Sequence, residues 1–168
     1  MILLGLGIAF IRNFFGSLEE NTASAIAVAK IGLDPNANDP LVIRQGNDFR
    51  IKSGKSKKLE VGLYNGGEGA VDVGIFIGNC VTGEDPAYKP IPRMTTLHQR
   101  VEKGQKAGYS IFVNAKNIDD PALGDIAGKD ILPGEYICSL QAVKFDPVTN
   151  SYTDEVVVER QITMSVER

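Results

Sequence analysis

An α+β chain, with one long N-terminal apolar helix followed by an antiparallel β-sandwich, is what this sequence predicts. Three observations predict it. Met1–Ile11 carries no polar side chain. Residues 23–29, Ala-Ser-Ala-Ile-Ala-Val-Ala, are small and rich in the best helix former. From residue 41 onward the apolar period drops to two, the mark of half-buried strands.

The helix is expected over residues 1–33. Arg12 and Asn13 interrupt the apolar run, and Phe14 and Phe15 resume it. Gly16 is a point where the rod can kink. Lys30 suits a helix C-terminus, and Gly32 with Pro35 supplies the stop. The run Met1–Ile11 would span about 16 Å as a helix, roughly half a bilayer core. No basic region precedes it, as a secretory signal would require. An end of this character is expected either to be preceded by further residues or to be buried against other copies or in lipid. Leu33 to Pro40 is rich in turn formers, so residues 34–40 are expected to form a linker.

The sandwich is expected over residues 41–168. Leu59, Val61 and Leu63 alternate with Glu60, Gly62 and Tyr64. Val71, Val73, Ile75 and Ile77 repeat the pattern, and Val156, Val158, Ile162, Met164 and Val166 are expected on one face of the last strand. Strands are expected at about 41–45, 48–53, 57–64, 70–78, 105–114, 135–145 and 153–167. Gly- and Pro-rich turns stand between several of them, at 65–69, 85–90, 132–135 and 146–151. Seven short strands of this kind predict an immunoglobulin-like sandwich.

In that strand order, 70–78 and 135–145 are antiparallel neighbours, which places Cys80 beside Cys138. Tyr136 precedes Cys138 by two, the spacing of a tyrosine corner. Inward residues of the earlier strand are odd-numbered, so Cys80 fits only with a bulge near Gly78. Two readings stand: a disulfide, which points to an oxidising compartment, or two free, partly buried thiols.

Composition removes several functions. Lys and Arg number 18 against 21 Asp and Glu, and a net charge of −3 disfavours a general nucleic-acid binder. The basic run Arg50, Lys52, Lys55, Lys57, Lys58 fits an edge strand protected against unwanted pairing. His98 is the single histidine and falls on a loop. No GxSxG, HExxH, CxxC or Walker loop occurs, so no catalytic residue, metal site or cofactor is expected and the chain is read as no enzyme. Asp119, Asp120, Asp125 and Asp130 match no calcium-loop spacing, and Lys129 stands among them.

An apolar N-terminal segment leading into a β-sandwich resembles the plan of archaeal type IV pilins and archaellins, class III signal-peptide proteins. The stretch Gly-Leu-Gly-Ile-Ala-Phe-Ile-Arg-Asn-Phe-Phe-Gly-Ser-Leu-Glu-Glu, residues 5–20, carries the likeness. Gly5 stands where many bacterial-type pilins have glutamate, and the apolar run is short for the family. The resemblance implies an extracellular helical homopolymer on the cell surface, used in adhesion or motility. Its subunits wait in the membrane before assembly, and their β-domains lie outside a core of helices. Leu3, Leu4, Ile8, Ile11, Phe14 and Phe15 would pack that core, each contributing roughly 1.5–3 kcal/mol when fully buried. Arg12, facing water or reaching Glu19 or Glu20, and the outward rings of Phe76 and Phe112 are candidate contacts between subunits. The alternative is a membrane-anchored single β-sandwich, a stator-like or surface-layer-binding accessory of the cell envelope. Self, the membrane and unidentified surface receptors are thus the expected partners.

Overall fold

The computed structural model describes residues 32–82, 98–116 and 130–168. Eight strands follow one another: β1 (Leu41–Ile43), β2 (Asp48–Lys52), β3 (Ser56–Tyr64), β4 (Val71–Thr82), β5 (Gln99–Val101), β6 (Lys106–Asn114), β7 (Gly134–Asp146) and β8 (Ser151–Glu167). They form a three-stranded sheet in the order β1-β3-β6 and a five-stranded sheet in the order β2-β8-β7-β4-β5.

The α+β expectation is corrected: the described residues are all-β, and no helix occurs among them. Gly32, read as part of the stop signal, is a turn residue with a left-handed φ of +62°. The rest of the expected helix, with Leu3, Leu4, Ile8, Ile11, Arg12, Phe14 and Phe15, lies outside the described residues. The expected linker, 34–40, lies on the sandwich. A Cβ at Gly62 would stand 3.1 Å from the Pro35 ring. Tyr64 N–H donates to the Pro40 carbonyl at 2.8 Å, and Asp34 and Asp39 pair with Lys106 and Arg160.

The wholly antiparallel expectation also needs correction. β2 runs parallel to β8, with Asp48 opposite Thr163 and Lys52 opposite Glu167. β5 is an added short strand, paired with β4 through Val71–Val101 and Val73–Gln99; at three residues it is too brief for a period-two signal.

Alternation fills the space between the sheets. Leu59, Val61, Leu63, Ile111 and Val113 come from one sheet, and Val73, Ile75, Leu140, Ile162 and Met164 from the other, all buried. Tyr109 is buried among them and its hydroxyl donates to the Val73 carbonyl at 3.0 Å; burial pushes the phenol's pKa well above its usual range, so it stays a donor. The buried Asn65 amide is satisfied by the carbonyls of Gly69 and Val101, each at 2.8 Å, and by the N–H of Gly67.

Cys80 and Cys138 are joined by a disulfide. They are directly opposed on β4 and β7, and the register slips between Ile77 and Cys80. That bulge brings Cys80 onto the inward face. Tyr136 completes the corner, its hydroxyl donating to the Leu132 carbonyl at 2.7 Å.

Candidate interaction surface

β7 and β8 are the two longest strands and continue as a hairpin beyond their neighbour β2, which pairs only with Thr163–Glu167. The hairpin turns at Pro147–Asn150. Asp146 anchors the turn by accepting the Val148 N–H at 2.8 Å. This bond, helped by the Thr149 hydroxyl, holds the Asp146 carboxyl below its usual range. Asn150 takes a φ of +52°, a conformation that asparagine tolerates better than most residues.

Within this ribbon the pairing slips twice. Ala142 faces Val158, Val143 faces Val156 and Phe145 faces Tyr152, so β8 carries extra residues opposite β7. Such bulges bend and twist a ribbon. Tyr152 consequently lies on the outer face of β4, over Gly74. Its ring meets Phe76 edge-on at 4.5 Å and Phe145 at 5.1 Å. His98 stacks flat on Phe145, at 3.6 Å between centroids and 8° between planes.

Beside this cluster runs an open groove of about 310 Å³, with Phe76, Ile77, Gln141, Val143, Tyr152 and Val156 among its lining residues. Thr153 and Asp154 also line it, so its lining mixes apolar and polar side chains. Lys144 pairs with Glu155 at 2.9 Å, and Gln141 donates to Glu159 at 3.4 Å. The chemistry on offer is contact with mixed apolar and polar side chains. Among the described residues no three His, Cys, Asp or Glu side chains gather as a metal site.

Phe76 and Phe112 are not brought together. Phe76 is half-buried in the groove of the five-stranded sheet, whereas Phe112 is 54% exposed on β6, an edge strand of the three-stranded sheet. The expected outward phase holds for both, because Ile75, Ile111 and Val113 beside them are fully buried. Sequence reasoning missed Tyr152 and the His98–Phe145 stack. Both depend on how far the ribbon twists, and bulge positions leave no periodic trace.

The described residues thus define a two-sheet β-domain with a disulfide across one sheet and a protruding hairpin. No family model and no curated protein matches the chain. Among solved structures it is similar to a family 123 glycoside hydrolase from Clostridium perfringens, at 12% identity and a TM-score of 0.42, covering 72% of this chain but 22% of the hydrolase. It is also similar to the PapD-like domain 7 of human CEP192, at 13% identity and a TM-score of 0.36, covering 80% of this chain and 87% of that one. A third similar structure is the CooA pilin subunit from enterotoxigenic Escherichia coli, at 8% identity and a TM-score of 0.35, covering 76% and 95%.

Proposed function

We propose that the chain is a structural subunit, not an enzyme, of an extracellular filament of the archaeal type IV pilus kind, built from copies of itself. The observation that carries the reading is the apolar run Met1–Ile11 on a chain whose residues from 41 onward build a two-sheet core of their own. A run of that character needs an apolar environment, and neighbouring copies supply one. The disulfide adds support for an extracellular place. Exposed apolar side chains on the outer faces, Phe112 among them, give the β-domains surface to lay against one another.

Electron micrographs and sedimentation of the full chain test this reading. Long fibres are expected, and Ile8→Asp is expected to abolish them. A discrete particle that needs detergent would favour a membrane-anchored accessory protein instead, and a monomer without detergent would overturn both.

A further inference from the structure

Charge is unevenly distributed among the described residues. Strand register places Arg50, Lys52, Lys55, Lys57, Lys116 and Arg168 at one end of the sandwich. β2 ends there opposite Glu167, β3 begins there, and Ser53 N–H donates to the Glu167 carbonyl. Among the described residues, acidic groups toward the same end are Asp48, Asp130, Glu135 and Glu167, so six positive charges face four negative ones there. Lys52 and Lys55 are exposed and form no ion pair among the described residues. The opposite end is the hairpin, where Asp146, Asp154 and Glu155 outnumber Lys144 among the described residues. The sixteen steps of β8 from Ser151 to Glu167 separate the two ends by about 50 Å at the usual strand rise.

Apolar side chains accompany both poles. Val148, Val156 and Val157 are exposed on the hairpin, with Val148 at 90%. Val81, Leu132 and Ile137 are exposed toward the basic end, with Val81 directly opposite Ile137 on the outer face of β4 and β7. Each end therefore pairs a few apolar groups with a charge of one sign, and the signs are opposite.

We infer that the acidic β7–β8 hairpin of one copy docks on the basic end of the next, a head-to-tail contact between β-domains. This rests on the self-assembly proposed above and adds which surfaces meet. Two different surfaces of one chain make a heterologous interface, which continues into an open helix when its rotation does not close. Opposite potentials fix the direction of addition, since hairpin against hairpin or basic end against basic end sets like charges together. Attraction between exposed charges is screened within about 8 Å at physiological salt, so the contact weakens as salt rises.

The test uses full-length chains: wild type, Asp154→Lys/Glu155→Lys, Lys52→Glu/Lys55→Glu, and the four substitutions combined. All four side chains are exposed, and circular dichroism melting checks that each variant folds. The critical concentration for assembly is read by sedimentation at low and physiological salt. Each reversal alone is expected to raise it roughly three-fold or more, the scale of exposed ion pairs, and the combined swap to restore it. A neutral pair, Lys52→Gln/Lys55→Gln, should shift it in the same direction and by less. If wild type does not associate, the self-assembly reading fails and this contact with it. If wild type assembles and the reversals change nothing, or the swap fails to rescue, the head-to-tail contact alone is overturned.

Discussion

The ring of Tyr152 occupies the space in which a side chain at Gly74 would begin, with Cε1 and the hydroxyl oxygen each 2.5 Å from the ideal Cβ position. Glycine here is a requirement of close approach, and it lets the twisted hairpin lie on the outer face of β4. Gly74→Ala is expected to lift Tyr152 away from Phe76 and cost about 1–3 kcal/mol, the scale of overpacking. Thermal melting measures the loss. The chain has no tryptophan, so tyrosine fluorescence can report the displaced ring. An unchanged melt with an unchanged tyrosine signal would contradict this packing.

Cys80 and Cys138 are 4% and 2% exposed and close a loop with a sequence separation of 58. Alkylating reagent should leave the native protein unmodified, and mass spectrometry should find one linked peptide pair. Replacing both by Ser should lower stability by about 2–4 kcal/mol, the typical worth of such a bridge. Two alkylated cysteines in protein prepared without reductant would refute the bond.

Acid should loosen the domain in two places. The Glu60 carboxyl is held below its ordinary 4.5 by hydrogen bonds from Arg44 and then Lys58, and Asp146 below its ordinary 3.8 by the Val148 N–H and then Thr149. A carboxyl whose pKa falls on folding stabilises the native state above its unfolded value. That contribution disappears as pH drops through the folded value. Melting temperature is therefore expected to start falling through Glu60 below about pH 4.5, and through Asp146 below about pH 3.8. Glu60→Gln should flatten the upper part of that decline; a profile identical to wild type would show that Glu60 contributes nothing.

The two outward phenylalanines should separate in their effects. Phe112→Ser removes an exposed ring, and stability is expected to stay within about 0.5 kcal/mol. Phe76→Ser removes an edge-to-face partner of Tyr152, a pairing worth about 0.5–1.5 kcal/mol beyond its buried area. Equal melts for the two variants would mean that the aromatic cluster carries no such energy.

Most of the strands were legible because one face of each is buried, and a period of two survives in the sequence wherever that holds. Leu59, Val61 and Leu63, or Ile162, Met164 and Val166, announce both strand and phase. The bulge before Cys80 was legible for a different reason: the phase of Ile75 and the position of Cys80 disagree by one residue. What stayed hidden is set by long-range geometry. The parallel pairing of Asp48 with Thr163 joins residues remote in sequence, and nothing local in either records the partner. The aromatic cluster of Phe76, Phe145, Tyr152 and His98 depends in the same way on ribbon twist. Gly32, legible as a stop signal, is a turn residue with positive φ.

That parallel pair also sets how the domain bears tension. Traction that draws β2 from its Asp48 side and β8 from its Glu167 side slides the strands lengthwise past each other, loading all five rungs, Asp48–Thr163 to Lys52–Glu167, together. An antiparallel pair pulled at its open end would peel one rung at a time. The covalent bridge adds a second stop, because the chain between Cys80 and Cys138 cannot join the extension; at about 3.5 Å per residue this withholds roughly 200 Å of contour. Single-molecule pulling should find a high rupture force followed by a shortened extension, with the missing length recovered on reduction. Built this way, the domain behaves as a stiff link with a fixed maximum stretch.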